Sequence, residues 1–212
     1  MADCKIQSGD ILLCSGNGKF SKRIQKFQRI IGAPKESAML SHVAGVWGLP
    51  YDYIPEESMW ARVLESTTLN KWANKRGVQV NLFSDWFENY NGHIWLRHLD
   101  FGRTKEYYKK DRTFWMDHKD DDYENGIPGV VELFLCGLQL NTVIQKLFPK
   151  WKPKPTKEVH CAELIAQRLW YHGLFTPKLH EEQAFSRLPP WFWWSEIDKY
   201  LNVPISKPIQ LK

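Results

Sequence analysis

Short apolar runs separated by turn residues are the feature of this sequence that most restricts its fold. Runs of this length and composition predict β-strands. They lie at Ile11–Cys14, His42–Trp47, Arg62–Thr67, Val78–Leu82 and Ile94–Leu99. Helical spacing of apolar residues appears early and late in the chain. We therefore predict an α+β domain in which an antiparallel sheet or small barrel packs against helices.

The size and composition of the chain favour one globular domain. Its 212 residues, 43% apolar and 25% charged, are typical of a soluble globular protein. We expect a single domain over 1–212, with a core of about 8–176 and a Trp-rich C-terminal extension, 177–212, packed on it. The net charge of +5 is too small to indicate a nucleic-acid partner.

The sequence carries no signal for membrane insertion or export. No stretch approaches the ~18 apolar residues of a membrane span. The first residues, Met1–Lys5, lack the apolar segment of a secretory signal, so we expect a cytoplasmic location.

Helical periodicity is clearest in two segments. Apolar residues recur at helical spacing over Phe20–Ile31, and the basic residues lie mostly off that stripe. This pattern is typical of a surface helix with a solvated basic face, and peripheral contact with an anionic surface is the alternative. A second helix is predicted over Cys161–Trp170, after the Pro-rich linker Lys152–Pro155 and ending near Gly173. Further helices are predicted within 102–126 and over Val130–Leu147.

Motifs that hold phosphates or metals fail on inspection. Gly16–Lys19 lacks both the preceding Gly and the following Ser or Thr of a phosphate loop. Asp120–Glu124 lacks the Gly and Glu that a calcium loop needs at positions six and twelve. The histidines show no paired spacing for zinc. We expect no metal site and no cofactor.

Cys161 is the strongest candidate for chemistry. It stands at the start of a predicted helix, where free N–H groups and the helix dipole favour the thiolate. A thiolate is the nucleophile of covalent catalysis. The alternative is a small core residue, since buried cysteines usually pack as apolar side chains.

His42 and Glu65 are candidates on two predicted strands. If those strands are antiparallel neighbours, Glu65 would hold the imidazole of His42 and set its tautomer, as the third member of a triad does. Each residue has a simpler interpretation. His42 would be a hydrogen-bonded edge residue, and Glu65 an exposed strand carboxylate.

Four short motifs occur in a characteristic order: Gly9–Leu13, Ser41–Val43, Leu64–Ser66 and Cys161–Ile165. Together they resemble the permuted papain-like amidases of the YaeF/YiiX type, relatives of cell-wall peptidases and of the lecithin retinol acyltransferase group. In that superfamily the His precedes the Cys, as His42 precedes Cys161 here. The resemblance spans Gly9 to Phe175, and the Pro-containing segment Leu188–Pro190 also fits it.

The resemblance implies a circularly permuted papain-like fold with Cys161 as nucleophile, His42 as general base and Glu65 as orienting residue. Ala162 replaces the Ser that usually follows the nucleophile, and Tyr123 is the best match to a Tyr-Asp-like segment before it. Candidates for substrate or oxyanion contacts are Tyr123, Ala162 and Asp10.

The expected activity is hydrolysis or transfer at an amide or ester bond through an acyl-thioester. The substrate would be a small molecule, a peptide or a lipid amide. The alternative is a catalytically inactive papain-like domain that binds a peptide or lipid. The aromatic cluster Trp191–Trp194 fits either the core or a substrate groove.

Overall fold

An antiparallel sheet forms the centre of the fold. The computed structural model describes residues 6–48, 61–70, 75–122, 160–178 and 188–212. Its strands are β1 (Ile11–Gly16), β2 (His42–Trp47), β3 (Arg62–Asn70), β4 (Lys75–Leu82), β5 (Gly92–Arg97) and β6 (Ile209–Gln210). They pair in the order β4-β3-β2-β1-β5-β6, all antiparallel, as an open sheet rather than a closed barrel.

The helices of the described residues lie before, between and after these strands. They are α1 (Lys19–Ile30), α2 (Phe83–Asn89), α3 (Lys105–His118), α4 (Cys161–Tyr171) and the short α5 (Phe192–Ser195), which a 3₁₀ turn follows at Glu196–Tyr200. The predicted α+β class is therefore confirmed. None of the helices in the described ranges is long and apolar enough to cross a bilayer.

The predicted elements are found with small shifts at their ends. β1 continues through Ser15 and Gly16, two residues beyond the predicted strand end at Cys14. α4 ends where predicted: Gly173 has φ of 70°, and the amides of Gly173 and Leu174 bond the carbonyls of Trp170 and Leu169. That pattern closes a helix with a left-handed residue, which glycine adopts most easily. The predicted helix Val130–Leu147 and linker Lys152–Pro155 lie outside the described residues.

The two faces of the sheet carry separate cores. On one face Ile11, Leu13 and Val43 pack against α4. On the other, Leu12 and Ala44 pack with Trp86 of α2 and its neighbours. The apolar run of β1 is continuous because consecutive side chains point to opposite faces and both faces are covered.

The C-terminal segment completes the core under α4. Leu188, Phe192 and Trp193 are buried in the same cluster as the helix. Trp194 packs edge-on against Trp95, with ring centroids 5.6 Å apart. The choice that the sequence left open for this cluster is thereby decided for Phe192 and Trp193, which are core residues.

A buried ion pair attaches α4 to α3 and β2. Arg168 donates to both carboxylate oxygens of Asp111 at 2.7 Å, and its Nη1 donates to the carbonyl of Val46 at 2.9 Å. Gly45 makes this approach possible, because a Cβ there would lie 2.7 Å from Arg168 Nη1 and 3.1 Å from Ile165 Cδ1. The pair holds the helix that begins at Cys161.

Candidate active site

The imidazole of His42 contacts the carboxylate of Glu65, as the sequence predicted. The distance between His42 Nε2 and Glu65 Oε2 is 2.8 Å. β2 and β3 are antiparallel neighbours, with Gly45 opposite Leu64. Continuing this register places Ala44, not His42, opposite Glu65, so the two side chains meet along the diagonal. Diagonal neighbours on one face are within reach of long side chains.

Three further side chains hold the Glu65 carboxylate. Gln79 and Asn81 of β4 donate to Oε1 at 3.1 Å and 3.2 Å, and Trp86 of α2 donates from Nε1 to Oε2 at 3.0 Å. Glu65 is 4% exposed, so the interpretation as an exposed strand carboxylate is wrong. These donors leave Glu65 little freedom to rotate, and they orient the imidazole with Nε2 on the carboxylate.

The thiol of Cys161 lies close enough to His42 for each group to shift the pKa of the other. Cys161 is the first residue of α4 and is 6% exposed. Since Nε2 of His42 faces Glu65, Nδ1 is the nitrogen left to face the sulfur. The three predicted triad members are thus brought together, although they come from β2, β3 and the start of α4.

The electrostatics of the pair favour thiolate and imidazolium. Burial alone would raise the pKa of Cys161, but the charge of His42 and hydrogen bonds from His160 and His42 lower that pKa to about 5. Burial alone would lower the pKa of His42, but the facing Cys161 and Glu65 raise that pKa to about 10. A thiolate with its base already protonated is the activated form of a cysteine nucleophile.

His160 is a member of the site that the sequence analysis did not single out. Its Nδ1 accepts a hydrogen bond from the amide of Glu163 at 3.2 Å and so caps α4. In the neutral ring the proton is then on Nε2. Nε2 is 3.9 Å from Glu163 Oε2, too far for a hydrogen bond, and the ring is buried. His160 also lowers the pKa of Cys161, and Nε2–H is the donor that the neutral ring can offer the sulfur.

Substituting His160 separates its two roles. His160→Ser keeps a cap acceptor but removes the donor to sulfur, whereas His160→Asn keeps both types of group. We expect His160→Ser to retain stability within about 1 kcal/mol. The pH midpoint of Cys161 alkylation should rise by about one pH unit in that variant, because a hydrogen bond to a charged group is lost. His160→Asn should stay closer to wild type, and equal midpoints in all three proteins would show that His160 only caps the helix.

The backbone at the start of α4 supplies a place for an oxyanion. The first turn of a helix leaves its amides without intrahelical acceptors. Of these, the Glu163 amide is taken by His160 Nδ1. The amides of Cys161 and Ala162 therefore remain as the donors that the helix geometry offers beside the sulfur. Ala162 itself is fully buried, so it contributes backbone rather than side chain.

Of the other candidates, Asp10 is held by partners of its own. Asp10 lies four residues before Cys14, which is the residue opposite His42 on β1. Four residues of extended chain span about 13 Å. The buried carboxylate of Asp10 accepts from the amides of Gln7 and Leu99 and from Arg103 Nη2, at 2.9, 3.2 and 3.0 Å. This arrangement makes Asp10 a packing residue away from the triad. Tyr123 lies outside the described residues.

The arrangement of the described residues is the evidence for chemistry at this site. Among the described residues, no cluster of His, Cys, Asp and Glu is arranged to hold a metal ion. In comparisons with known proteins, no family model matches the chain and no curated protein is significantly similar to it. What the described residues present is a cysteine at a helix start, a histidine against it and a carboxylate that orients the histidine.

Proposed function

We propose that this chain is a cysteine-dependent hydrolase or acyltransferase acting on an amide or ester bond, with a circularly permuted papain-like fold. The observation that carries the proposal is that Cys161, at the start of α4, interacts electrostatically with His42, whose Nε2 is held by Glu65 at 2.8 Å. The order His, Glu, Cys along the chain and the packing of the cysteine helix on an antiparallel sheet support the permuted papain-like assignment.

Acylation uses the ion pair as it stands. The Cys161 thiolate attacks the carbonyl carbon, and the backbone amides at the start of α4 stabilise the oxyanion. His42 then gives its Nδ1 proton to the leaving nitrogen or oxygen as the carbon–heteroatom bond breaks. The products of this half-reaction are an acyl-thioester on Cys161, a neutral His42 and the free amine or alcohol.

Deacylation returns the site to its starting state. Neutral His42 takes a proton from water, or from an acceptor alcohol or amine, and the resulting nucleophile attacks the thioester. The carbon–sulfur bond breaks, the acid or the transferred acyl product leaves, and the thiolate faces imidazolium again. Glu65 stabilises the charged imidazole at both ends of the cycle without moving a proton itself.

The pH dependence of Cys161 alkylation tests the proposal directly. With a Cys161 pKa of about 5, iodoacetamide should modify this thiol rapidly at pH 6, where an ordinary cysteine is almost entirely protonated. In His42→Ala the alkylation midpoint should move up toward the free value of about 8.5, because the facing positive charge is gone. Peptide mapping by mass spectrometry assigns each modified cysteine.

Cys14 provides an internal control in the same protein. It is a buried thiol whose pKa is raised well above its ordinary value by burial and by the charges of Glu65 and Cys161. It should remain unmodified at the pH that modifies Cys161. Two results would contradict the proposal: Cys161 reacts no faster than Cys14, or the pH midpoint of its alkylation is unchanged in His42→Ala. Either result would favour the alternative, a papain-like domain that binds a peptide or lipid without catalysis.

A further inference from the structure

Helix α1 is attached to the protein by its polar residues. Gln25 Nε2 donates to Ser15 Oγ and to the Gly16 carbonyl at 3.2 and 3.0 Å. Gln28 Nε2 donates to the carbonyls of Ala38 and Leu40 at 3.1 and 2.6 Å, and its Oε1 accepts from the Trp191 amide at 3.2 Å. An amphipathic helix ordinarily turns its apolar stripe to the core. Here the two glutamines are the buried residues, whereas Ile24 and Phe27 of the apolar stripe are half-buried.

This attachment leaves apolar side chains on the outside of α1. Phe20 is 44% exposed and Ile30 is 68% exposed. At 3.6 residues per turn they lie about 80° apart around the axis, with Arg23 and Phe27 between them. Exposed aromatic and aliphatic side chains on one arc of a helix cost free energy in water, and their contact with an apolar phase is favourable.

Basic side chains lie within this arc and along one side of it. Every Lys and Arg of α1 is exposed, and the helix contains no acidic residue. The cations are Lys19, Lys22, Arg23, Lys26 and Arg29. A helix with apolar side chains flanked by cations matches the boundary of an anionic bilayer, where phosphates lie beside acyl chains.

We propose that the outer face of α1 is a docking surface for an anionic phospholipid bilayer. Phe20 and Ile30 insert at the acyl boundary while the cations pair with the lipid phosphates. Nucleic acid is the other polyanion, but its phosphates would use the cations and leave Ile30 without a function. The apolar residues therefore favour the bilayer.

Helix α1 begins close to the residue that precedes His42. The first turn of α1 packs on the end of β1, where Ser21 Oγ would be 2.5 Å from a Cβ placed on Gly16. The Gly16 amide donates to Ser41 Oγ at 3.0 Å, and Ser41 precedes His42. A bilayer bound along α1 would thus lie on the side of the protein where β1 ends, opposite His42. The binding itself does not depend on the proposed chemistry.

Vesicle cosedimentation of the full chain tests this surface. The probes are phosphatidylcholine vesicles and vesicles with an equal part of phosphatidylglycerol, each at low and at physiological ionic strength. We expect binding to the anionic vesicles only, weakened by salt. Phe20→Ser/Ile30→Ser and Lys22→Glu/Lys26→Glu should each weaken it about tenfold or more. All four positions are exposed, so the fold should be retained, and circular dichroism checks this.

Matched variants elsewhere on the surface control for overall hydrophobicity and charge. Met116→Ser/Ile209→Ser removes apolar residues that are 51% and 40% exposed, and Lys109→Glu/Lys110→Glu changes the net charge as the α1 pair does. Both controls should bind like wild type. The proposal is overturned if anionic vesicles bind no protein at low salt, or if the controls weaken binding as much as the α1 variants. It is equally overturned if Phe20→Ser/Ile30→Ser has no effect while Lys22→Glu/Lys26→Glu does, since that result describes a contact with any polyanion.

Discussion

Replacement of Cys161 by alanine is expected to lower kcat/KM at least about a thousandfold on any substrate that the wild-type protein turns over. The reason is that the proposed mechanism forms the acyl-thioester on this sulfur. Cys14, the other free cysteine of the described residues, is kept as a thiol by burial. A panel of amides, esters and thioesters with intact-mass detection of the acyl adduct provides the measurement.

The matched control for this substitution is Cys161→Ser, which keeps a nucleophilic atom but not a thiolate. It should be nearly as inactive as Cys161→Ala, because the serine hydroxyl stays protonated at neutral pH and does not form an ion pair with His42. Both variants should unfold near the wild-type midpoint, since the change removes or replaces one atom. A Cys161→Ala protein that retained about a tenth of the activity would contradict the assignment of the nucleophile.

Replacement of Arg168 by methionine is expected to reduce the free energy of unfolding by about 3–5 kcal/mol. Arg168 and Asp111 have side chains that are each 1% exposed, and the guanidinium bonds both carboxylate oxygens. Methionine fills much of the volume but leaves the carboxylate buried without its main partner. His172 Nε2, 3.0 Å from Asp111 Oδ1, is the contact that remains in this variant. The measurement is urea unfolding of both proteins, and equal m-values would show that the shift in midpoint reflects stability.

The double variant Arg168→Met/Asp111→Leu distinguishes two contributions to the loss of stability: the unpaired carboxylate of Asp111 and the lost contacts of Arg168. Replacing a buried ion pair by apolar side chains is often neutral, so the double variant should recover most of the stability lost by Arg168→Met. If it is no more stable than the single variant, the loss comes from the contacts of Arg168 with β2 rather than from the buried carboxylate of Asp111.

Strands β1 to β5 and the helix that begins at Cys161 were predictable because their signals are local. Alternation and short apolar runs identified β2 within its observed ends, His42–Trp47. Helical spacing and Gly173 identified α4, which begins at Cys161 and closes on a left-handed glycine. Each of these patterns depends on residues within a few positions of one another, where backbone sterics and burial of one face decide the conformation.

The surroundings of the triad were not predictable in the same way. Gln79 and Asn81 look like ordinary polar residues of a strand, and Trp86 like one more core aromatic. Gln79 and Asn81 become partners of Glu65 because β4 pairs with β3 so that Gln79 lies opposite Glu65. Trp86 becomes one because α2, which follows β4, brings its indole to the same carboxylate. His160 was missed although its position before Cys161 was visible, and a cap residue at that place was the signal that could have found it.

The same limit applies to α1. Its sequence predicts an amphipathic helix, and such a helix forms at Lys19–Ile30. Periodicity does not say which of its faces the protein will accept. The carbonyls of Gly16, Ala38 and Leu40 need donors, and the glutamines supply them. Pairing these carbonyls buries the glutamines at the cost of leaving Phe20 and Ile30 exposed, since an unpaired buried polar group is costly.

By itself, the sequence determined the α+β class, strands β1 to β5 and the helix that begins at Cys161, and it predicted His42, Glu65 and Cys161 as candidates for acyl transfer. Only the tertiary structure decided that His42 reaches Glu65 along a diagonal, that three donors hold Glu65, and that α1 turns its glutamines inward. The physical reason is that periodicity and capping act between residues close in sequence. Strand register and the pairing of buried polar groups depend on contacts between distant ones, whose outcome is settled only when the whole core packs.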